Sequence, residues 1–527
     1  MMDPLKRTAV LALSLLLAAC APAQQPASST DGAESALPAP AASESSAAQP
    51  PSAEGADRLY RIYRGEQTIV MDGDGNLLPD EEAYTPLYDL LTGAEAYRLR
   101  TKNEDTGGDD EYGNPVVQQY CSLCDAKGTL LYDWEPVTYR AAFSGLLIRQ
   151  DPRSWWSNPS ELEGYSTALW NPATGETVAD GVDSLQEMGD GSVLALDVTG
   201  RTLGVLDSSG KVLSGFPAPA DYYYPNAKWG MISADAGYNP YGPYDPGGKP
   251  SSALLLDRDF NILFECEQLN LGFYGLRGPY ALWHDHGRTG LLSLPSLTRL
   301  YSISEEEGDI QYFDGERLIL RTGTRNDPLN PWRCFLYDLE GNLLAGPYEQ
   351  LSPEDEWEDR DAPAGRFLAG NGGTLSLLDR DGGLITSAEL PGLCSFSSLG
   401  DGYYTYNIER TGDSPDSFST HLTGLLGPDF EVVLPAEQYQ SIYRLTDWAG
   451  QRSARYDLLE CGRELPNGVW RFDLLTLSGE PVLGNLSVIG DAGPGRIAVI
   501  RGSSMGLIDF SGRWIARRSI YQGLQND

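Results

Sequence analysis

The chain has 527 residues, with 75 acidic side chains against 38 basic ones and a formal charge of −37. So acidic a chain excludes nucleic-acid binding through basic clusters, and it excludes lying flat on anionic lipid. Its 59 Gly and 35 Pro, in a chain that is 41% apolar, punctuate it with turns and indicate an all-β fold rather than a helical one.

The chain opens with Lys6 and Arg7. An apolar run from Thr8 to Ala19 follows, whose only polar side chains are Thr8 and Ser14. The run is too short to span a bilayer, so residues 1–19 are predicted to be a secretory signal peptide. It ends in Leu17-Ala18-Ala19-Cys20, which resembles the lipobox of bacterial lipoproteins. The resemblance implies that Cys20 carries lipid, including a palmitate-like acyl chain, and becomes the mature N-terminus. Losing Asp3, Lys6 and Arg7 leaves 74 acids and 36 bases. Attachment is then expected from acyl chains rather than from surface charge.

Residues 20–57 are predicted to be a disordered tether. They are mostly Ala, Pro, Ser, Gln and Glu, with no aromatic residue and a single Leu, Leu37. Such a composition buries too little apolar area to offset ordering. A flexible segment of roughly 36 residues has a root-mean-square reach of about 35 Å.

The remainder, 58–527, is predicted to be one repeat domain. Asp72-Gly73-Asp74-Gly75-Asn76 starts like a calcium loop, but Leu77 replaces the required Gly and Ala83 the bidentate Glu, so it reads as a turn. The acidic runs Glu104–Glu111, Glu305–Asp309 and Glu354–Asp361 read as solvated loops. Cys121-Ser122-Leu123-Cys124 has redox-motif spacing, yet it lies in a strand-like run where positions i and i+3 face opposite sides, so structural thiols are expected. Export permits disulfides, but the spacing of Cys266, Cys334, Cys394 and Cys461 does not reveal a pairing.

Three aromatic groups stand out as a binding surface. They are Trp155 and Trp156, then Tyr222, Tyr223 and Tyr224, then Tyr238, Tyr241 and Tyr244 among prolines. Exposed tyrosines on rigid loops give contact area at low entropic cost, whereas packing between long loops would be the structural use of the same residues. His284-Asp285-His286 is the best metal-like cluster, but the only other histidine is His421. Internal alignment puts His284–Gly287 at a hairpin turn equivalent to Val198–Gly200. Gly502-Ser503-Ser504-Met505-Gly506 matches the nucleophile pattern Gly-x-Ser-x-Gly, but no histidine follows it, and the repeat predicts strand-turn-strand there. No catalytic, metal or cofactor site is therefore expected.

One pattern recurs along the domain: an apolar strand, a corner with Asp and Gly, then another apolar strand. Clear copies start at Val70, Leu206, Leu255, Leu336, Leu377 and Leu507, and weaker ones near Leu123, Leu169, Leu425 and Leu474. Asp can hold backbone N–H groups at the corner, and Gly supplies positive φ. One hairpin cannot bury its own faces, so the copies must stack on one another.

The C-terminal copy Met505-Gly506-Leu507-Ile508-Asp509-Phe510-Ser511-Gly512-Arg513-Trp514-Ile515 resembles the bacterial WG repeat family, and Trp229-Gly230-Met231-Ile232 matches its opening. The resemblance implies a repeat β-architecture and no specific activity. The expected fold is an all-β propeller of about eight blades, with an open β-repeat array or two smaller propellers as alternatives. Leu59–Ile69 is expected to pair near Trp514–Tyr521 to close the ring.

These readings predict a lipid-anchored module in the cell envelope, facing away from the cytoplasm, that contacts a protein or polysaccharide through loops. An envelope-assembly or sensing accessory is the second expectation, and a propeller-type glycan hydrolase or lyase the third. Scarce histidines and the lack of a nucleophile motif rank the enzyme last.

Overall fold

The computed structural model describes residues 58–520, apart from 65–66, 80–82, 110–114, 151–165, 199, 216–221, 237–251, 274, 325–326, 328, 355–361, 411–419, 448–453 and 466. The predicted signal peptide, Cys20 and tether lie outside the described residues.

The chain folds into ten four-stranded antiparallel meanders in sequence order. They span 85–135, 138–180, 184–214, 222–266, 268–304, 309–348, 350–389, 393–439, 441–486 and 488–519. These are the blades of a β-propeller, and the first strands of blades one and two, three and four, and nine and ten contact one another directly. The expectation of about eight blades is thus corrected to ten. The copy at Val70 follows β2, at the end of the N-terminal hairpin; every other copy is the link between the third and fourth strands of a single blade, so no blade holds two copies.

Packing explains why the strands look as they do. In the third blade the two middle strands, Val193–Leu196 and Thr202–Leu206, are buried along their whole length. A blade in the ring has a neighbour on each face, so its central strands need apolar side chains on both sides. Outer strands such as Glu176–Asp180 are largely exposed. Every pair of consecutive blades shares an apolar cluster, from Leu99, Leu123 and Tyr139 at the first junction to Leu474, Leu486 and Val499 at the ninth.

The ring is closed by the N-terminal hairpin of β1 (Tyr60–Arg64) and β2 (Gln67–Met71). Tyr60, Ile62 and Met71 pack on Ala498, Ile500, Met505 and Leu507 of the tenth blade. Arg496 donates from Nε to the Gly73 carbonyl at 2.9 Å, and Arg518 from Nε to that of Gly75 at 2.9 Å. On the other side, the Arg61 side chain donates to the Tyr84 carbonyl at 2.6 Å, just before the first strand of blade one, β3 (Thr85–Tyr88). The expected pairing of Leu59–Ile69 near Trp514–Tyr521 is therefore corrected. The hairpin stays a separate two-stranded sheet laid on the blade's face, where it buries apolar area without joining the ladder.

The corners behave as the repeat predicts. Asp509 Oδ1 accepts from the backbone N–H of Ser511 at 2.9 Å and of Arg513 at 3.0 Å. Asp207 does the same with Ser209 and Lys211, and Asp257 with Asp259 and Asn261. Gly210 and Gly512 take φ of 82° and 78° at the position where the chain reverses.

Candidate functional site

The candidate residues divide into those held in the framework and those at the ends of the ring. Asp72 belongs to the first group. Its Oδ1 accepts from the N–H of Asp74 and Asn76, and its Oδ2 from the Asn76 side chain. Those oxygens hold a corner, as the turn reading of this loop requires.

His284 and His286 do not converge. His284 is the penultimate residue of a strand, Tyr280–Asp285, and its Nδ1 lies 3.3 Å from Glu305. His286 and Gly287, with φ of 51° and 69°, form a two-residue hairpin turn. His286 Nδ1 lies 2.8 Å from Asp285, and its N–H donates to Glu267 at 3.2 Å. Glu267, Asp285 and His286 bring one ligand atom each within 4.8 Å of one another, and Glu267 was not among the residues singled out from the sequence. The Asp285 carboxylate is already shared with Arg299 at 3.7 Å, which offsets the charge a cation would seek.

Ser504 opens a strand, Ser504–Ile508, is buried, and accepts from Arg517 Nε at 3.0 Å. Its neighbours Gly502 and Ser503 form the turn of a strand-turn-strand unit, so the exposed strand-to-helix elbow is not built here. Cys121 and Cys124 both sit in β5 (Pro115–Asp125), buried and unpaired. Cys121 enters the cluster shared with blade two, and burial pushes its thiol up to about 12. A thiol so hard to ionise is a poor nucleophile. Cys394 donates to the Asn407 carbonyl at 3.2 Å, with His421 Nδ1 3.5 Å away.

Of the aromatic candidates, Tyr222, Tyr223 and Tyr224 begin the first strand of blade four, Tyr222–Lys228, where Tyr222 faces Ala236 and Tyr223 faces Asp235 in register. Trp155, Trp156, Tyr238, Tyr241 and Tyr244 lie outside the described residues. Exposed aliphatic residues such as Leu213, Ile262, Leu343, Leu384 and Val432 recur just after the corners of successive blades. Their recurrence marks them as part of the repeat.

One feature was missed from the sequence. Between the hairpin and blade one lies a cleft of about 390 Å³, lined by Leu78, Tyr84, Arg98, Arg100, Cys124 and Gly128. Arg98 and Arg100 stand on the second strand of the blade, β4 (Glu95–Asp109). The available signal was basic residues at alternate positions, Arg98, Arg100 and Lys102, in a chain with twice as many acids as bases.

No family model matches the chain, and no curated protein matches it. Among solved structures it is similar to a eukaryotic initiation factor at 10% identity, covering 67% of this chain and 93% of that one, with a TM-score of 0.37. BamB from Moraxella catarrhalis is similar at 10% identity, over 63% of this chain and 93% of that one, with a TM-score of 0.24. The WD40 domain of Neurospora crassa Pan2 is similar at 9% identity, over 53% and 87%, with a TM-score of 0.24.

Proposed function

We propose that this chain is a lipid-anchored binding module of the cell envelope, facing outside the cytoplasm, and a diverged member of the WG repeat family. The reading holds that one end of the propeller contacts a protein or polysaccharide partner. The observation that supports it is the connectivity of the meanders. Short links such as Leu486 to Val488 and Tyr439 to Ser441 force each first strand to start at the end of the ring where the previous fourth strand finishes. In an antiparallel meander the link between the second and third strands leaves from that same end. In blade two the second and third strands are Leu146–Gln150 and Thr167–Asn171, and in blade four Met231–Ala236 and Ser252–Leu256; Trp155, Trp156, Tyr238, Tyr241 and Tyr244 fall between these strands in the sequence. The strand beginning with Tyr222 starts at that end too.

The test is affinity capture from envelope extracts with residues 58–527, run beside a glycan array. Capture of one protein or one glycan, lost when Trp155 and Trp156 become Ala and Tyr238, Tyr241 and Tyr244 become Ser, supports the reading. Turnover of a polysaccharide without stable capture would replace it with the hydrolase or lyase reading.

A further inference from the structure

The ring contains eleven junctions: nine between consecutive blades, one between blade ten and the hairpin, and one between the hairpin and blade one. The first ten are filled by apolar clusters. At the eleventh, no such cluster occurs among the described residues, and the 390 Å³ cleft stands in its place.

The strand register gives the cleft its chemistry. Leu99 is buried against blade two, so its neighbours Arg98 and Arg100 take the opposite face of β4. There Arg98 stands across from Cys124 and Arg100 across from Ser122. Cys124 and Ser122 are 1% and 2% exposed, which closes the floor. Arg98 is already balanced, since its Nε donates to Glu95 at 2.5 Å. Its guanidinium also lies 4.5 Å from the centre of the Tyr84 ring. Arg100 has no hydrogen-bond or ion-pair partner for its side chain among the described residues.

An arginine with no acidic partner among the described residues thus lines a concave site of ligand size. Its planar fork matches a carboxylate through two parallel hydrogen bonds. Among the described residues of the cleft, the one charge without a partner is positive, and it matches one negative charge. Leu78 and the Tyr84 ring, held flat by the stacked Arg98, add an apolar wall for an organic body. We propose that this cleft binds a small organic monocarboxylate, with Arg100 gripping the carboxylate and the Tyr84–Arg98 stack lying against the rest of the molecule. This site is separate from the loop contacts proposed above, and either can fail without the other.

The test is titration calorimetry of the full chain in detergent with glucuronate and with benzoate, using methyl glucoside and inorganic phosphate as controls. We expect saturable one-to-one binding of at least one carboxylate, weaker binding of phosphate, and none of methyl glucoside. Arg100→Gln should weaken the carboxylate by about tenfold or more, the loss typical of a charged hydrogen-bonding partner. Arg299→Gln, on blade five, should leave it unchanged. If Arg100→Gln fails to fold, Arg100→Lys carries the comparison: it keeps the charge without the fork and should bind several-fold more weakly. No saturation by either carboxylate, equal affinity in a folded Arg100 variant, or phosphate or methyl glucoside binding as tightly would overturn the proposal.

Discussion

The backbone of Arg61 crosses Gly490 so closely that a Cβ on Gly490 would sit 2.2 Å from the Arg61 carbonyl oxygen. The neighbouring Asp491 accepts from the Arg61 N–H at 3.0 Å. This glycine is needed for space, because it lets the N-terminal hairpin lie flat against the last blade. Gly490→Val should force the hairpin outward at a cost of about 1–3 kcal/mol, the usual range for overpacking. Hydrogen exchange checks it: the amides of Tyr60–Arg64 and Gln67–Met71 should lose protection while the middle strands of the blades keep theirs.

Asp314 and Arg380 join blades six and seven. The Asp314 side chain is fully buried, and its Oδ2 accepts from Arg380 at 2.8 Å and from the Tyr312 hydroxyl at 2.9 Å. Burial alone would raise the Asp314 pKa. The Arg380 hydrogen bond and the N–H groups of Arg317 and Glu316 outweigh it and hold the carboxyl below its ordinary value. Arg380→Met leaves a buried charge uncompensated, which typically costs about 3–5 kcal/mol. A carboxyl with a lowered folded pKa stabilises above its unfolded pKa, and that contribution fades as pH falls through the folded value. The gap in melting temperature between wild type and Arg380→Met should therefore narrow in acid, as Asp314 protonates in both.

The corners make the same argument in repeated form. Hydrogen bonds from Thr129, Ser209 and Asn342, respectively, lower the carboxyls of Asp125, Asp207 and Asp338. At Asp257 and Asp509 the corner hydrogen bonds outweigh the opposing effect of burial. Burial raises Glu460 and Asp491 instead, so these two favour acid. The lowered groups are the more numerous. Thermal melts across pH should show stability lost below about pH 4, the ordinary carboxylate range. Asp207→Asn combined with Asp338→Asn should flatten that acid limb.

Membrane attachment is predicted to depend on one sulfur. Cys20→Ala should move the protein from the membrane pellet to the soluble fraction, because a chain this acidic has no surface charge to hold it on anionic lipid. Persistence of the variant in the pellet after a salt wash would contradict the lipid anchor.

The repeat was legible because a corner is a local device. Asp509, Gly512 and the apolar pairs around them announce a hairpin without any long-range information. Blade number was less legible because the strongest copies mark the third and fourth strands alone, and the first strands carry no shared motif. The short innermost strand Gln268–Asn270 has nothing in common with Tyr222–Lys228 beyond its place. The hairpin's role was half visible: residues 59–69 were expected beside the last blade, but packing on a face and pairing at an edge leave the same apolar pattern. The cleft was not legible, although the alternating basic residues that line it were. Whether Arg98 and Arg100 face a neighbour or a gap depends on a two-stranded hairpin, rather than a full blade, standing opposite them.

The most direct test of this account is a crystal structure of residues 58–527 viewed down the ring axis. The account predicts ten four-stranded blades, with the hairpin of Tyr60–Arg64 and Gln67–Met71 wedged between the tenth and the first. Eight blades, two separate rings, or an open arc whose first and last blades never meet through that hairpin would contradict it.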